Sequence, residues 1–195
     1  MNAIMLKNIT KSFGDKVVLS DLNAVFEAGK ISVIMGESGC GKTTLINIIM
    51  GLEKADSGEL SGIPKRMSAV FQEDCLSENF SAVSNLRAVT GKKAAKEKMT
   101  ELLLSLGLTE KDINSSVNRL SGGMKRRVAI ARALIADSEL IIMDEPFKGL
   151  DEETRARVAS IVERSVRGSS RTLILITHDA ADIELIHADS IMKMS

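Results

Sequence analysis

The sequence predicts an α/β fold with a largely parallel sheet, an antiparallel β patch at the N-terminus and an inserted helical subdomain. Short apolar runs, which are typical of buried strands, occur at residues 31–35, 140–143 and 172–176, and segments with helical spacing of apolar residues alternate with them. This alternation is typical of parallel sheets that are covered by helices. Polar residues follow these runs directly, and ligands of such sheets bind beyond the carboxyl ends of the strands.

The first elements of the chain are the strands that predict the antiparallel β patch. Residues 1–10 form the first predicted strand, and residues 13–15 break it. Residues 17–26 predict a second strand or a pair of strands. Phe13 lies between them, and its position alone favours a place in the core over a platform on which adenine stacks.

A phosphate-binding loop follows the predicted strand at residues 31–35. It matches the full pattern of such loops with Gly36, Glu37, Ser38, Gly39, Cys40, Gly41, Lys42 and Thr43. Glycines let the backbone approach a triphosphate, so the N–H groups of the loop predict an anion cradle at a helix N-terminus. We expect the Lys42 ammonium on the β- and γ-phosphates, the Thr43 hydroxyl on Mg²⁺ and Thr44 beside them. The alternative is a glycine-rich surface turn, but strand, loop and helix stand in the required order.

A helical insertion is predicted at residues 73–121, after a turn-rich segment at residues 55–62 and a strand at residues 66–71. The apolar stripe of its helix consists of Ala95, Met99, Leu102, Leu103 and Leu106. The residues expected on its solvated outer face are Lys92, Lys93, Lys96, Glu97 and Lys98.

The second half of the chain continues the alternation of helices and strands. Ser121 is a natural N-cap for the next helix, and residues 152–167 predict an amphipathic helix after the strand at residues 140–143. The last three predicted elements are a strand, a short helix and a strand, at residues 172–176, 182–187 and 190–194.

Polar side chains at the strand ends predict the second half of a phosphate-processing site. We expect Asp144 to hold Mg²⁺ through water and Glu145 to deprotonate the water that attacks the γ-phosphorus. Gln72 is expected to bridge Mg²⁺ and that water, and His178 to bond to the γ-phosphate. The alternatives are a surface acidic pair before a proline turn and a structural histidine.

Bulk composition narrows the classes of function. A chain of 195 residues holds one sizeable core. Lys and Arg together number 26, as do Asp and Glu, so no excess of charge favours nucleic acid. Cys40 and Cys75 lack metal spacing and form no disulfide framework. The apolar runs are too short to span a membrane, so any membrane role is expected to be peripheral.

The most specific residues of the chain are Leu120, Ser121, Gly122, Gly123 and Met124. Together with residues 125–134 behind them, they resemble the signature motif of ABC ATPases. The other motifs of that family stand in the family's order: the phosphate loop at residues 36–43, the Q-loop Gln72, the Walker B segment at residues 140–145, the D-loop Asp151 and the switch His178. The resemblance covers nearly the entire chain. Within the family, the chain looks most like ATPases of small bacterial importers, such as those for nitrate, sulfonate or taurine.

The resemblance implies a RecA-like P-loop NTPase core. Residues 1–195 then form one ABC ATPase domain, with its core at residues 1–72 and 122–195 and its helical insertion, with the signature at its end, at residues 73–121. ATP and Mg²⁺ are the implied cofactors. The resemblance also makes Phe13 the residue that stacks on adenine, which reverses the interpretation from position alone.

Two partners follow from the resemblance. In this family two ATPase domains meet head to tail, and each ATP lies between the phosphate loop of one and the signature of the other. The chain carries one motif set, so a second ABC ATPase subunit is implied, with an identical copy as the first expectation. An integral membrane permease subunit is the other implied partner. It would hold the chain on the cytoplasmic, inner face of the cell membrane, and no nucleic-acid partner is expected.

The sequence departs from the usual pattern of the family at a few positions. Met124 stands where Gln is usual, Lys148 and Gly149 stand where Ser and Ala are commoner, and Phe13 replaces the commoner Tyr. None of these departures removes a catalytic group, so the resemblance implies ATP hydrolysis.

Two alternative functions stay open on sequence grounds. A soluble ABC-type ATPase that acts on nucleic acid or ribosomes usually needs tandem ATPase domains, a long coiled coil or basic arms, and none is evident in the sequence. A P-loop kinase for a small molecule is disfavoured by the signature at residues 120–124 and by His178.

Overall fold

Two β-sheets organise the chain in a computed structural model that describes residues 2–91 and 95–194. The strands of these residues are β1 (Ile4–Phe13), β2 (Lys16–Phe26), β3 (Ile31–Gly36), β4 (Ser57–Ser61), β5 (Met67–Val70), β6 (Leu140–Asp144), β7 (Thr172–Ile176) and β8 (Ser190–Met194). The helices are α1 (Lys42–Ile49), α2 (Ala82–Thr90), α3 (Lys96–Ser105), α4 (Glu110–Asn114), α5 (Gly122–Ile135), α6 (Glu152–Arg167) and α7 (Ala180–Leu185), with a 3₁₀ turn at Val117–Arg119.

The larger sheet is parallel and has the strand order β5-β6-β7-β3-β8. Successive residues of a strand point to opposite faces, and β6 divides accordingly. Ile141 and Met143 join the core that α5 and α6 cover, whereas Leu140 and Ile142 join the core beneath α1 and the antiparallel sheet. A strand that is buried on both faces is mostly apolar, which explains the runs seen in the sequence. The predicted α/β fold class is confirmed.

The smaller sheet is antiparallel, with the strand order β2-β1-β4. β1 runs through Phe13, which pairs with Lys16, so the chain reverses at Gly14 and Asp15 rather than at Phe13. The turn predicted at residues 55–62 is wrong, because β4 pairs there with β1. Gly58 allows this close pairing, since a Cβ at its position would stand 2.5 Å from the carbonyl oxygen of Asn8.

Helices α2, α3 and α4 lie between β5 and α5 in the chain. Met99, Leu103 and Leu106 of the predicted stripe are buried and Leu102 is partly buried. Ala95 is wrong as a stripe member, because it is exposed and precedes the first residue of α3. Three of the residues predicted on the outer face are exposed: Lys96, Glu97 and Lys98. The other two, Lys92 and Lys93, lie outside the described residues.

Helix α7 begins at Ala180, two residues before the predicted start. The Asp179 carboxylate accepts a hydrogen bond from the N–H of Ala181 at 2.9 Å, and this capping bond fixes the helix start. Of the helices at residues 2–91 and 95–194, none is long and apolar enough to cross a membrane.

Candidate active site

A cleft of about 660 Å³ opens at the carboxyl ends of β3, β5, β6 and β7. The predicted residues that line it are Phe13, Gly36, Glu37, Ser38, Gly39, Gly41, Lys42, Thr43, Thr44, Gln72, Asp144, Glu145 and His178. Lys16 and Val18 line the same cleft without having been predicted, and so does Lys148, which the sequence marked only as a departure. One cavity thus collects the phosphate loop and the polar ends of three strands.

The phosphate loop has the backbone that its glycines allow. Gly39 and Gly41 have φ angles of 85° and 97°, which side chains rarely permit. Gly36 leaves no room for a side chain, because a Cβ there would stand 2.4 Å from the Met194 carbonyl oxygen. Gly41 is the N-cap of α1 and supplies no side-chain bond, so the first N–H groups of this helix remain available as donors to an anion.

Lys42 folds back over the phosphate loop. Its ammonium donates to the carbonyl oxygens of Gly36 at 2.8 Å and Glu37 at 2.7 Å. The Sγ atom of Cys40 lies 3.8 Å from the same ammonium, so Cys40 contacts Lys42 although it does not line the cleft. A cation and the donors of a helix N-terminus therefore share one concave surface, which suits a polyphosphate.

Two adjacent carboxylates face this surface from the end of β6. Asp144 is buried, and this burial raises its pKa, with the neighbouring charge of Glu145 acting in the same direction. Glu145 has a φ angle of 47°, and its N–H donates to the Ile176 carbonyl oxygen at 2.9 Å. This turn ends the alternation of the strand, so both carboxylates line the cleft instead of pointing to opposite faces.

Glu145 has a cation or a hydrogen-bond partner at each carboxylate oxygen. Its Oε1 lies 2.9 Å from Nδ1 of His178, and its Oε2 lies 2.9 Å from Nζ of Lys148. Burial alone would raise the pKa of Glu145, but the nearby Lys148 ammonium and the His178 ring outweigh burial and lower the pKa below its usual value. Glu145 is therefore ionised at neutral pH and can accept a proton from water.

Arg126 is a central residue of the site that the sequence prediction missed. Its buried guanidinium donates to the carbonyl oxygens of Asp144 at 3.2 Å and Glu145 at 3.0 Å. It also donates to the Phe71 carbonyl oxygen at 2.5 Å and to the Asp74 carboxylate at 3.0 Å. Arg126 thus joins the loop of Gln72 to the end of β6. One feature of the sequence could have revealed Arg126: it is a charged residue on the apolar face of α5, four positions before the buried Ile130.

A second unpredicted network surrounds His178. Arg155 of α6 donates to the carboxylates of Asp179 at 2.6 Å and Asp182 at 2.7 Å. The Thr177 hydroxyl donates to the other oxygen of Asp182, which is buried. The residues on either side of His178 are therefore attached to α6 through one arginine.

The signature residues do not line the cleft of their own chain. Ser121 caps α5 by accepting a bond from the Met124 N–H at 3.3 Å, and both Ser121 and Gly122 are exposed. Gly123 lies beside Leu150, and Leu150 is the residue before Asp151. Asp151 caps α6 by accepting from the Thr154 N–H at 2.9 Å.

The fold and the cleft together define a P-loop nucleotide triphosphatase. The family model described as "ABC transporter" matches residues 19–148. A relative described as "Aliphatic sulfonates import ATP-binding protein SsuB", from Rhodopseudomonas palustris, is 39 % identical over 92 % of this chain and 66 % of its own length. Another, "Aliphatic sulfonates import ATP-binding protein SsuB 1" from Paracoccus denitrificans, is 35 % identical over 98 % of this chain and 79 % of its own length.

A solved structure gives the same result at the level of the fold. The dimeric structure of MJ0796, described as a bacterial ABC transporter cassette, superposes with a TM-score of 0.87 at 28 % identity, over 98 % of this chain and 94 % of that one. A second dimeric structure of MJ0796, described as a post-hydrolysis state bound to ADP and Pi, superposes with a TM-score of 0.85 at the same identity and coverage. The chain belongs to the ABC transporter family, as one of its ATP-binding, ATP-hydrolysing cassettes.

Proposed function

We propose that this chain binds and hydrolyses ATP to energise a membrane importer. The observation that carries the proposal is the single cleft in which the phosphate loop meets the Glu145–His178 pair at 2.9 Å. A loop alone binds phosphate, whereas a loop beside an ionised carboxylate with a fixed partner can also activate water.

The chemistry follows from the residues of the cleft. Lys42 and the N–H groups of the loop bind the β- and γ-phosphates, and the exposed ring of Phe13 at the cleft edge stacks on adenine. Thr43, Gln72 and Asp144 would hold Mg²⁺, which neutralises charge on the phosphate oxygens when bound. Oxygen ligands of this kind suit that ion, and all three residues line the cleft.

Glu145 acts as the general base. It takes a proton from a water molecule whose oxygen forms a bond to the γ-phosphorus, while the bond from that phosphorus to the β–γ bridging oxygen breaks. The electron pair of the broken bond leaves with ADP. His178 keeps the Glu145 carboxylate in position through its Nδ1, and it would also bond to the γ-phosphate.

A working site needs a second copy of the chain or a related subunit. Ser121, Gly122, Gly123 and Met124 lie outside the cleft of their own chain, and one motif set leaves each site without its signature. In the head-to-tail arrangement, the N-terminus of α5 of one subunit would face the γ-phosphate held by the other. Asp151, beside the signature at the start of α6, would lie in the same interface.

The remaining partner is an integral membrane permease subunit, which would hold the chain on the inner face of the cell membrane. The relatives named above, which are described as import ATP-binding proteins, support this partner. Closure of the two ATPase subunits around ATP would drive a rigid-body movement of the permease, and hydrolysis would reset it.

The test is recovery of the tagged chain from its native cells in mild detergent, with mass spectrometry of the copurifying proteins. We expect a stoichiometric integral membrane protein, and ATP turnover by the recovered complex. Recovery of soluble factors or nucleic acid in place of a membrane protein would overturn the importer role. It would favour the second candidate, a soluble ABC-type ATPase.

A further inference from the structure

Lys148 has a fixed backbone and a largely exposed side chain that lines the cleft. Its N–H donates to the Glu145 carbonyl oxygen at 3.2 Å, so the turn after β6 sets its position relative to the base. Its side chain is 56 % exposed and lines the cleft that Lys42 also lines. The ammonium can therefore move within the cleft while its point of attachment stays in place.

Lys148 and Glu145 form an ion pair. The two groups lie 2.9 Å apart, yet Oε2 of Glu145 is buried and makes no aligned hydrogen bond with any described residue. An ammonium carries three donors on a flexible stem. Such a contact is easily exchanged for one with better geometry and a greater opposite charge.

A terminal phosphate would provide that charge. Asp144 and Glu145 both face the cleft, and an approaching phosphate meets the like charge of these carboxylates. The Lys42 ammonium lies within the loop, where it contacts the carbonyl oxygens of Gly36 and Glu37. The Lys148 ammonium, in contrast, contacts the carboxylate of the proposed base, Glu145.

We propose that Lys148 is a ligand of the terminal phosphate, and that its ammonium passes from Glu145 to the phosphate when a triphosphate binds. This inference rests on the proposed function, in which the cleft binds ATP. It has two consequences. The cleft distinguishes a triphosphate from a diphosphate by one additional cation, and Oε2 of Glu145 becomes free to accept a proton from water as the substrate arrives.

The experiment measures the binding of two probes with Mg²⁺ by titration calorimetry: ADP, and an ATP analogue whose β–γ bridge is an imido group. One charge-assisted bond corresponds to a change of roughly tenfold in affinity. We expect Lys148→Ala to weaken binding of the analogue about tenfold and to leave ADP binding unchanged. Lys148→Arg should keep the preference for the analogue, because a guanidinium also binds phosphate.

Lys16→Ala is the matched control, since Lys16 lines the same cleft beside Phe13. It should leave the ratio of the two affinities at the wild-type value. Equal weakening of both probes by Lys148→Ala, or weakening of neither, would overturn the inference while leaving the nucleotide site intact. Failure of the wild-type chain to bind either probe would instead overturn the proposed function.

A second comparison separates direct contact from shielding. In a Glu145→Gln background the carboxylate charge is absent, so a lysine that only shields Glu145 has no effect there. We expect Lys148→Ala to weaken analogue binding about tenfold in this background too. If the loss disappears in the Glu145→Gln chain, Lys148 acts only on Glu145 and is not a phosphate ligand.

Discussion

At the scale of single residues, the site depends on the backbone of Glu145. A φ angle of 47° costs free energy in a residue with a side chain, and it lets two consecutive carboxylates face one cleft. His178 lies 2.9 Å from one oxygen of this carboxylate and keeps it in position at the cleft. In the proposed mechanism the two adjacent acids have different roles: Asp144 would hold the metal and Glu145 would activate the water.

Replacing this base should separate binding from turnover. We expect Glu145→Gln to lower kcat by at least about 100-fold, because the amide cannot take a proton from water. ATP binding should persist, since the phosphate loop is unchanged, and an ATP-bound dimer should accumulate on gel filtration. Hydrolysis at the wild-type rate would show that Glu145 is not the base.

Replacement of Lys42 should instead weaken the binding of ATP. Lys42→Ala removes an ammonium that now bonds to two loop carbonyls and would bond to the phosphates. We expect the Kd for ATP, measured by fluorescence of a labelled nucleotide, to rise at least about tenfold. Lys30→Ala, which removes an exposed lysine outside the cleft, is the control. An unchanged Kd for Lys42→Ala would contradict the assignment of the loop.

The sequence predicted those residues whose role depends on local order along the chain. Asp144 and Glu145 stand at the end of β6, and His178 lies two residues after β7. Parallel strands bring their carboxyl ends to one edge. Arg126 could not be found in this way, because its partners are mostly backbone carbonyls of distant residues. Every residue has a carbonyl group, so such partners leave no pattern in the sequence.

At the scale of elements, the same distinction between local pattern and distant partners explains which strands could be predicted from the sequence. The inner strands of the parallel sheet, β3, β6 and β7, are buried on both faces and could be read directly from the sequence. β4 has Gly58 and mostly exposed residues, because it is an edge strand, and its pattern is that of a turn. Only the pairing of β4 with β1, more than forty residues earlier in the chain, makes it a strand.

Helix α6 connects two parts of the site at this scale. It begins at the Asp151 cap, and one turn later Arg155 holds Asp179 and Asp182, which both lie in the segment that follows His178. A shift of the first turn of α6 would therefore carry His178 with it. The contact between Glu145 and His178 is in this way linked to the start of α6, which follows Leu150, the residue that lies beside Gly123 of the signature.

Arg155→Ala tests this coupling. We expect kcat to fall on the order of 10- to 100-fold, because His178 loses its fixed position, while the Kd for ADP stays unchanged. Arg155→Lys should recover part of kcat. Arg157→Ala, which removes an exposed pair with Glu153 on the same helix, is the control and should leave kcat at its wild-type value. A parallel loss of ADP binding would indicate general unfolding and contradict a role specific to His178.

At the scale of the whole molecule, the arrangement of the site predicts its assembly. The N-terminus of α5, with Ser121 exposed, offers donors that no group of the cleft in the same chain uses. Ser121→Asp should keep the helix intact, because Asp and Ser are equally good N-caps. The new carboxylate would face a γ-phosphate bound by the other subunit, so we expect turnover to be lost while monomeric nucleotide binding remains.

Mixing two inactive variants then distinguishes a shared site from a site within one chain. In a head-to-tail dimer of Lys42→Ala with Ser121→Asp, one site combines both defects, and the other combines an intact loop with an intact signature. Random pairing makes half of the dimers mixed, so a 1:1 mixture should recover up to about a quarter of the wild-type rate per chain. The control mixes the Lys42→Ala chain with a chain that carries both substitutions, which leaves no intact site in any dimer and should recover nothing. If the first mixture is as inactive as the control, each site draws its loop and its signature from the same chain, and the head-to-tail arrangement is wrong.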